Sequence, residues 1–175
     1  MLKKISAFAL FLGIVCPLSA AAEDSLVKFK GGIGVIPVSS GAGTAATANV
    51  VSRNIVRGVQ PPGQIWVIAD LRADVKTDGS IKVRGRGLLL GGGNGIGGNA
   101  NASVFATLIC GVATPLLFST DAAGVKLEAN GDFRIDDRLN ATPPSPCVSP
   151  VLLIRNASNL AWFAAGIPKL ENDDD

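Results

Sequence analysis

The stretch "QIWVIADLRADVKTDGSIKVRGRG", residues 64–87, decides the fold of this 175-residue chain. Its first half alternates: the odd positions from Ile65 to Val75 are apolar, and charged residues occupy the even positions from Asp70 to Lys76. A period of two is typical of a strand with one buried face. The turn signal "TDGS" and a second alternating run, "IKVRGRG", follow. The stretch therefore predicts an antiparallel hairpin.

The register of this hairpin follows from parity. A two-residue loop would place apolar Val75 opposite charged Lys82, which mixes the two faces of the sheet. A three-residue loop over residues 77–79 instead pairs Val75 with Ile81. It requires a left-handed backbone at its last position, where Gly79 stands. The charged pairs that this form predicts are Asp74 with Lys82 and Asp70 with Arg86.

The solvent face of the hairpin carries a modest surplus of positive charge. In the predicted register Arg72 faces Arg84, at a small electrostatic cost. Such a face is usually only the solvated side of a sheet, and the alternative is a surface for an anionic polymer or a partner. Trp66 falls on this face by parity, which indicates an interface unless a neighbouring loop covers it. The candidate contact residues of the hairpin are Trp66, Arg72, Lys82, Arg84 and Arg86.

A second hairpin is predicted by "GVKLEANGDFRID", residues 124–136. The loop Ala129–Asn130–Gly131 again ends in glycine, and it pairs Leu127 with Phe133 and, further along, Val125 with Ile135. With the first hairpin over residues 65–89, this predicts an all-β domain with antiparallel strands, either a β-sandwich or a barrel.

Further short strands are indicated along the rest of the chain. The segment "SVFATLICGVATPLLF", residues 103–118, is uncharged; it is short for a membrane span and is interrupted by Gly111 and Pro115. Two core strands are therefore predicted there, Ser103–Cys110 and Val112–Phe118. "SNLAWFAAGIP", residues 158–168, fits either a strand or a short helix. The other predicted strands are Leu26–Gly31, Ile33–Val38, Asn49–Val56 and Val151–Arg155.

The ends of the chain and its cysteines indicate export. Residues 1–22 combine Lys3 and Lys4, an apolar core and small residues, which is typical of a cleaved signal peptide. A single domain over residues 23–168 and an acidic, disordered tail over 169–175 then remain. The mature chain has two cysteines, Cys110 and Cys147, which predict one disulfide and an extracytoplasmic location, periplasmic or secreted.

The glycine-rich stretch "GGGNGIGGNA", residues 91–100, contains a formal G-x-G-x-x-G match at Gly93, Gly95 and Gly98. A dinucleotide site needs a helix after these glycines, and the residues that follow favour a strand instead. The stretch is therefore predicted to be a turned or mobile loop, with Asn94 and Gly95 as candidate contact residues. The two candidate contact loops are Gly91–Asn99 and Asn140–Pro146.

Residue types narrow the function. The chain has no histidine and no tyrosine, so histidine-based triads and histidine metal sites are excluded. No catalytic, cofactor or metal residues are proposed from the sequence. The leading hypothesis is an exported, non-enzymatic domain that acts by binding or by structural association, with an envelope protein or a glycan as the candidate partner. A nucleic-acid partner is not predicted, because a clustered basic face with stacking aromatic residues is not evident.

Two other classes stay open. A carboxylate-based glycan hydrolase predicts that two acidic residues converge in a cleft, at roughly 5–10 Å. A carrier of a small apolar ligand predicts an enclosed cavity of roughly a few hundred Å³. The candidate acids of the hydrolase are Asp121, Glu128, Asp132, Asp136 and Asp137.

Overall fold

The structure is a computed structural model that describes residues 24–40 and 51–169. Within these ranges, all regular secondary structure consists of β-strands, which confirms the all-β prediction. The predicted signal peptide, the acidic end of the tail and part of the strand predicted over Asn49–Val56 lie outside the described residues. The strands are β1 (Ser25–Gly34), β2 (Val38–Ser40), β3 (Val51–Arg53), β4 (Trp66–Val67), β5 (Asp70–Lys76), β6 (Ser80–Arg86), β7 (Leu89–Leu90), β8 (Ser103–Cys110), β9 (Leu116–Ser119), β10 (Val125–Lys126), β11 (Phe133–Arg138), β12 (Val151–Asn156) and β13 (Trp162–Pro168).

Nine of these strands form one antiparallel sheet that curls into a half-barrel. Its order is β10-β8-β12-β13-β1-β5-β6-β11, and β9 pairs with β8. The first and last strands of this order, β10 and β11, are consecutive in the chain. The turn over residues 128–132 therefore connects the two ends of the curled sheet. In the same ranges β2 pairs with β3 and β4 pairs with β7.

The first hairpin has the predicted register. Val75 pairs with Ile81, Asp74 with Lys82 and Asp70 with Arg86, across β5 and β6. Gly79 adopts φ 88°, the left-handed conformation that the last loop position requires. The inward side chains Leu71, Val75 and Ile81 are almost completely buried. The alternation of apolar and polar residues and the glycine at the end of the loop are both local features of the sequence, and both specify this register.

For the second hairpin, the predicted turn is correct and the predicted pairing of the two strands is wrong. The Glu128 N–H donates to the Asp132 carbonyl, and Gly131 has φ 82°. Beyond the turn the strands diverge: Val125 pairs with Val104 of β8 and Phe133 with Gly85 of β6. The backbone of Leu88 lies against Gly131, whose carbonyl accepts a hydrogen bond from the Leu88 N–H. This long-range contact at the turn accompanies the splaying of the two strands.

The uncharged stretch after residue 87 contributes to the core mainly through β8. β8 begins and ends where the sequence predicts, and its side chains from Val104 to Cys110 are buried. β9 pairs with β8, so two strands are present as predicted, but β9 begins only at Leu116 and its side chains are exposed or half-buried, so the second strand is not the core strand that was predicted. No helix in the described ranges is long and apolar enough to span a membrane. The C-terminal segment is the strand β13, so the strand alternative is correct there.

The predicted disulfide joins Cys110 at the end of β8 to Cys147, with a Cα–Cα distance of 5.1 Å. This separation is ordinary for a disulfide. Beside it, the Gly111 N–H donates to the Val148 carbonyl. The disulfide thus fixes the proline-rich segment before β12 against the sheet, and it is compatible with an extracytoplasmic protein.

Candidate functional site: a cationic row across the sheet

Four cationic side chains stand side by side on the outer face of the sheet. Lys30 of β1 pairs with Arg72 of β5, Arg72 pairs with Arg84 of β6, and Arg84 pairs with Arg134 of β11. All four residues are exposed. Adjacent strands lie about 4.8 Å apart, so the backbones that carry these four like-charged side chains follow one another at steps of about 5 Å across the sheet. We call these four residues the cationic row.

The neighbouring row on the same face contains both positive and negative side chains. Lys28, Asp74, Lys82 and Asp136 are paired across the same four strands, so their charges alternate in sign. Lys82 Nζ lies 3.5 Å from Asp136 Oδ2. We call this the alternating row. Since opposite charges in direct cross-strand pairs stabilise a sheet and like charges destabilise it, the cationic row is the unfavourable arrangement.

The four cations differ in their partners. Arg72 Nε lies 3.5 Å from Asp70 Oδ2, an oxygen that also accepts a 3.0 Å hydrogen bond from Arg86 Nη2. Neither Arg84 nor Arg134 has a hydrogen bond or an ion pair with any residue that the structure describes. Each guanidinium carries five N–H donors in a planar fork that fits a carboxylate or a phosphate. Two such forks therefore stand together, with donors available to an oxyanion.

Two surface grooves flank these arginines. The larger has a volume of about 490 Å³ and also contains Asp70 and Arg86 of the hairpin, with Glu128 and Asp132 from the turn between β10 and β11. The smaller, of about 250 Å³, extends toward the alternating row and contains Asp74 and Lys82. The residues common to both grooves are Arg72, Arg84 and Arg134.

The structure brings most of the predicted contact residues together and separates one from them. Arg72, Lys82, Arg84 and Arg86 share the exposed face, with Lys82 in the alternating row. Trp66 is only 3% exposed, and its ring stacks on Phe163 with the centroids 3.9 Å apart. The prediction that Trp66 lies on the exposed face is therefore wrong, and the alternative of a covered tryptophan is correct. Parity fails because the strand is interrupted at residues 68–69 between β4 and β5, so that Trp66 faces inward although it still pairs with Leu90 in the register of the hairpin.

Asn94 and Gly95 are exposed at the tip of the glycine-rich loop. This loop is tightly turned: the Leu90 N–H donates to the Gly98 carbonyl, and the Gly97 N–H donates back to the Leu90 carbonyl. The next regular element is β8, so a strand follows the glycines. In the second candidate loop, Asn140 is tied to Ser119, whose N–H donates to Asn140 Oδ1 at 3.0 Å.

Two members of the cationic row were not identified from the sequence, Lys30 and Arg134. Each occupies a polar position in an alternating segment, which is the only local signal that either residue gives. Their place beside the hairpin depends on the pairing of β1 with β5 and of β11 with β6. Those pairings join segments far apart in the chain, and alternation alone does not specify them.

The candidate hydrolytic acids fall into two groups. Asp121, Asp136 and Asp137 line a pocket of about 120 Å³, while Glu128 and Asp132 line the larger groove among the arginines. Several of these carboxylates already accept hydrogen bonds from the backbone. Asp137 Oδ2 accepts one from the Asp121 N–H, and Asp132 Oδ1 accepts one from the Gly87 N–H. Within the described ranges, no three acidic or cysteine side chains converge as a metal site would require.

The arrangement on the sheet face provides fixed positive charge and hydrogen-bond donors, and it is suited to holding oxyanions. Comparison with protein-family models, curated proteins and solved structures finds no match to this chain. The functional argument accordingly rests on the residues of the face itself.

Proposed function

We propose that this protein is an exported, non-enzymatic domain that binds an anionic polysaccharide across the outer face of its sheet. The observation that carries the proposal is the cationic row, set beside a row of alternating charge on the same strands. Like charges directly opposite each other destabilise an unliganded sheet. An anionic chain laid across the strands would supply the counter-charge that Arg84 and Arg134 lack among the described residues.

The chemistry of the face favours a polysaccharide over a nucleic acid. Single-stranded nucleic acids are held by aromatic stacking as well as by charge, and Phe29 and Phe133, the aromatic residues of these four strands, are both buried. A carboxylated or sulfated polysaccharide offers repeated oxyanions without a need for stacking. Arginine forks hold such groups through two parallel hydrogen bonds.

Three features support the wider assignment. The leader-like residues 1–22 and the disulfide are what an exported protein would have. Side chains of β8 such as Phe105, Leu108 and Ile109 are at most 2% exposed, which favours a filled interior over a cavity for an apolar ligand. The candidate acids Asp121, Asp132 and Asp137 accept hydrogen bonds from backbone N–H groups, which favours a structural role for them over hydrolysis.

The test is binding of polygalacturonate and of dextran sulfate, with neutral dextran as the control, to the purified mature protein. Arg84→Ala removes from the cationic row a guanidinium that has no partner among the described residues. Arg86→Ala is the matched control, because it removes the same group from the same strand where Asp70 already neutralises it. We expect Arg84→Ala to weaken binding by roughly threefold to tenfold, and Arg86→Ala to have a smaller effect.

Salt provides the second criterion. Exposed charges are screened over about 8 Å at physiological ionic strength, so binding through the cationic row must weaken steeply as salt is added. Equal losses of affinity in the Arg84→Ala and Arg86→Ala variants would show that the polymer is held by non-specific electrostatic attraction. Absence of binding to both anionic polymers at low salt would overturn the proposal.

A further inference from the structure

We propose that a second site, away from the cationic row, binds a neutral saccharide unit. The site is a cleft of about 530 Å³ at the end of the sheet, walled by the segments before β4, before β8 and between β12 and β13. Its volume is in the ordinary range for small-molecule sites. We call it the amide cleft, after the side chains of Gln64, Asn101, Asn156 and Asn159 that line it.

The base of the amide cleft is aromatic. Trp66 and Phe163 stack there with an interplanar angle of 13°. Both residues are almost completely buried, Trp66 at 3% and Phe163 at 3% exposure, so they form a fixed apolar part of the lining. The indole N–H of Trp66 makes no hydrogen bond to any described residue, which leaves it available as a donor.

The walls offer uncommitted polar groups. The side chains of Gln64, Asn101 and Ser103 make no hydrogen bond to any residue in the described ranges. An amide donates and accepts at once, and a hydroxyl does the same. A saccharide presents the same mixture through its hydroxyl and acetamido groups. Donors and acceptors in the cleft therefore match a saccharide more closely than they match an anion or a cation.

The frame of the cleft is held in place. Ala100 and Asn101 both have positive φ, 48° and 51°, a strained conformation for residues other than glycine. The side chain of Asn99 secures them: its Oδ1 accepts the Asn101 N–H, and its Nδ2 donates to the carbonyls of Leu127 and Glu128. On the opposite wall, Asn156 Oδ1 accepts hydrogen bonds from the N–H and the hydroxyl of Ser158. A pre-formed frame of this kind lowers the entropic cost of binding.

The charge of the ligand follows from the lining. None of the described residues that line the amide cleft has an ionisable side chain. Moving a charged group from water into such a cleft is costly without a compensating charge. The ligand is accordingly neutral, and its binding must be insensitive to salt, in contrast to binding at the cationic row.

The test is calorimetric titration of the mature protein with tetramers of N-acetylglucosamine and of glucose. Gln64→Ala removes one wall amide, and Trp66→Phe removes the indole N–H while keeping an aromatic ring against Phe163. We expect saturable binding of one probe at low and at high salt, weakened roughly twofold to tenfold by each substitution, the range for one neutral hydrogen bond. Arg84→Ala must leave this binding unchanged.

Several results would overturn the second site. These are a lack of binding by both tetramers at millimolar concentration, unchanged affinity in the Gln64→Ala variant, or loss of binding in Arg84→Ala. Gln64 is exposed and without an intramolecular side-chain partner in the described ranges, so its variant remains informative even if Trp66→Phe does not fold. Because the two sites differ in salt response and in sensitive residues, either proposal can fail while the other stands.

Discussion

Arg84 and Arg134 are direct cross-strand partners on β6 and β11, and neither guanidinium has a hydrogen-bond or ion-pair partner among the described residues. Two strands away in the same row stands Lys30. Like charges directly opposite each other destabilise a sheet by a few tenths of a kcal/mol or more per pair. The unliganded protein thus carries a stability cost at the face that we propose binds its ligand.

Reversing the central charge of the row should make the unliganded protein more stable. Arg84→Glu places a carboxylate between Arg72 and Arg134, so two repulsive pairs become attractive ones. We expect the free energy of unfolding to rise by about 0.3–1 kcal/mol, measured by urea denaturation at low salt. The same variant should lose binding to anionic polymers.

Lys82→Glu provides the matched control for this charge reversal. Lys82 lies two residues from Arg84 on β6, but in the alternating row between Asp74 and Asp136. Here reversal creates two like-charged pairs, so stability should fall by a similar amount. A change of the same sign in both variants would show that cross-strand charge does not govern this face.

The disulfide should contribute substantially to stability. Cys110 and Cys147 are 37 residues apart, and closing a loop of this length is worth roughly 3–4 kcal/mol in the chain-entropy model. We expect the double variant Cys110→Ser/Cys147→Ser to lose about that much free energy of unfolding, with an unchanged far-ultraviolet circular dichroism spectrum below its transition. A loss under about 1 kcal/mol would show that the denatured chain is already constrained in this region.

Gly85 should tolerate no larger residue. It lies opposite Phe133, whose ring occupies the space that a Cβ at position 85 would need. Gly85→Ala should therefore destabilise the protein by about 1–3 kcal/mol through overpacking. Gly63→Ala is the control, because nothing lies within 4 Å of its added Cβ. Equal melting temperatures for the two variants would contradict this packing.

Acid should weaken the first hairpin at its loop. The Ser80 backbone N–H and hydroxyl donate to Asp78, and with Arg138 nearby they hold the pKa of that carboxyl below its ordinary value. Because the folded-state pKa is lowered, the stabilising effect is present above the unfolded pKa of about 3.9 and is lost as the pH falls through the folded value. Carbon-detected NMR titration of Asp78 should give a midpoint below about 3.8.

The Asp78→Asn variant isolates this effect. An amide cannot ionise, so the variant should lose stability at neutral pH and show a shallower decline between about pH 5 and pH 2. Ser80→Ala should move the titration midpoint of Asp78 upward, because it removes the hydroxyl donor and keeps the backbone one. An unchanged midpoint would assign the shift to the backbone and to Arg138.

The first hairpin could be predicted to the residue because its determinants are local. Alternation from Asp70 to Arg86 and the left-handed Gly79 both specify the same register, and the structure has it. The disulfide could be predicted as well, since Cys147 is the one partner left for Cys110 once the predicted signal peptide with Cys16 is set aside. Half of the cationic row could be predicted from the sequence: Arg72 and Arg84 were identified, and Lys30 and Arg134 were not.

Tertiary structure decided the remainder, because it depends on contacts between distant segments. Because β1 and β11 pair with the first hairpin, Lys30 and Arg134 extend the repulsive pair Arg72–Arg84 into a row of four cations. An interruption of the strand at residues 68–69 turned Trp66 inward, and packing against Phe163 buried it where parity predicted exposure. The amino-acid sequence by itself thus determined the class of fold, the central hairpin and the covalent link. Which charges became neighbours was decided by the strand order, since side-chain periodicity specifies the face of a residue and leaves its partner across the sheet undetermined.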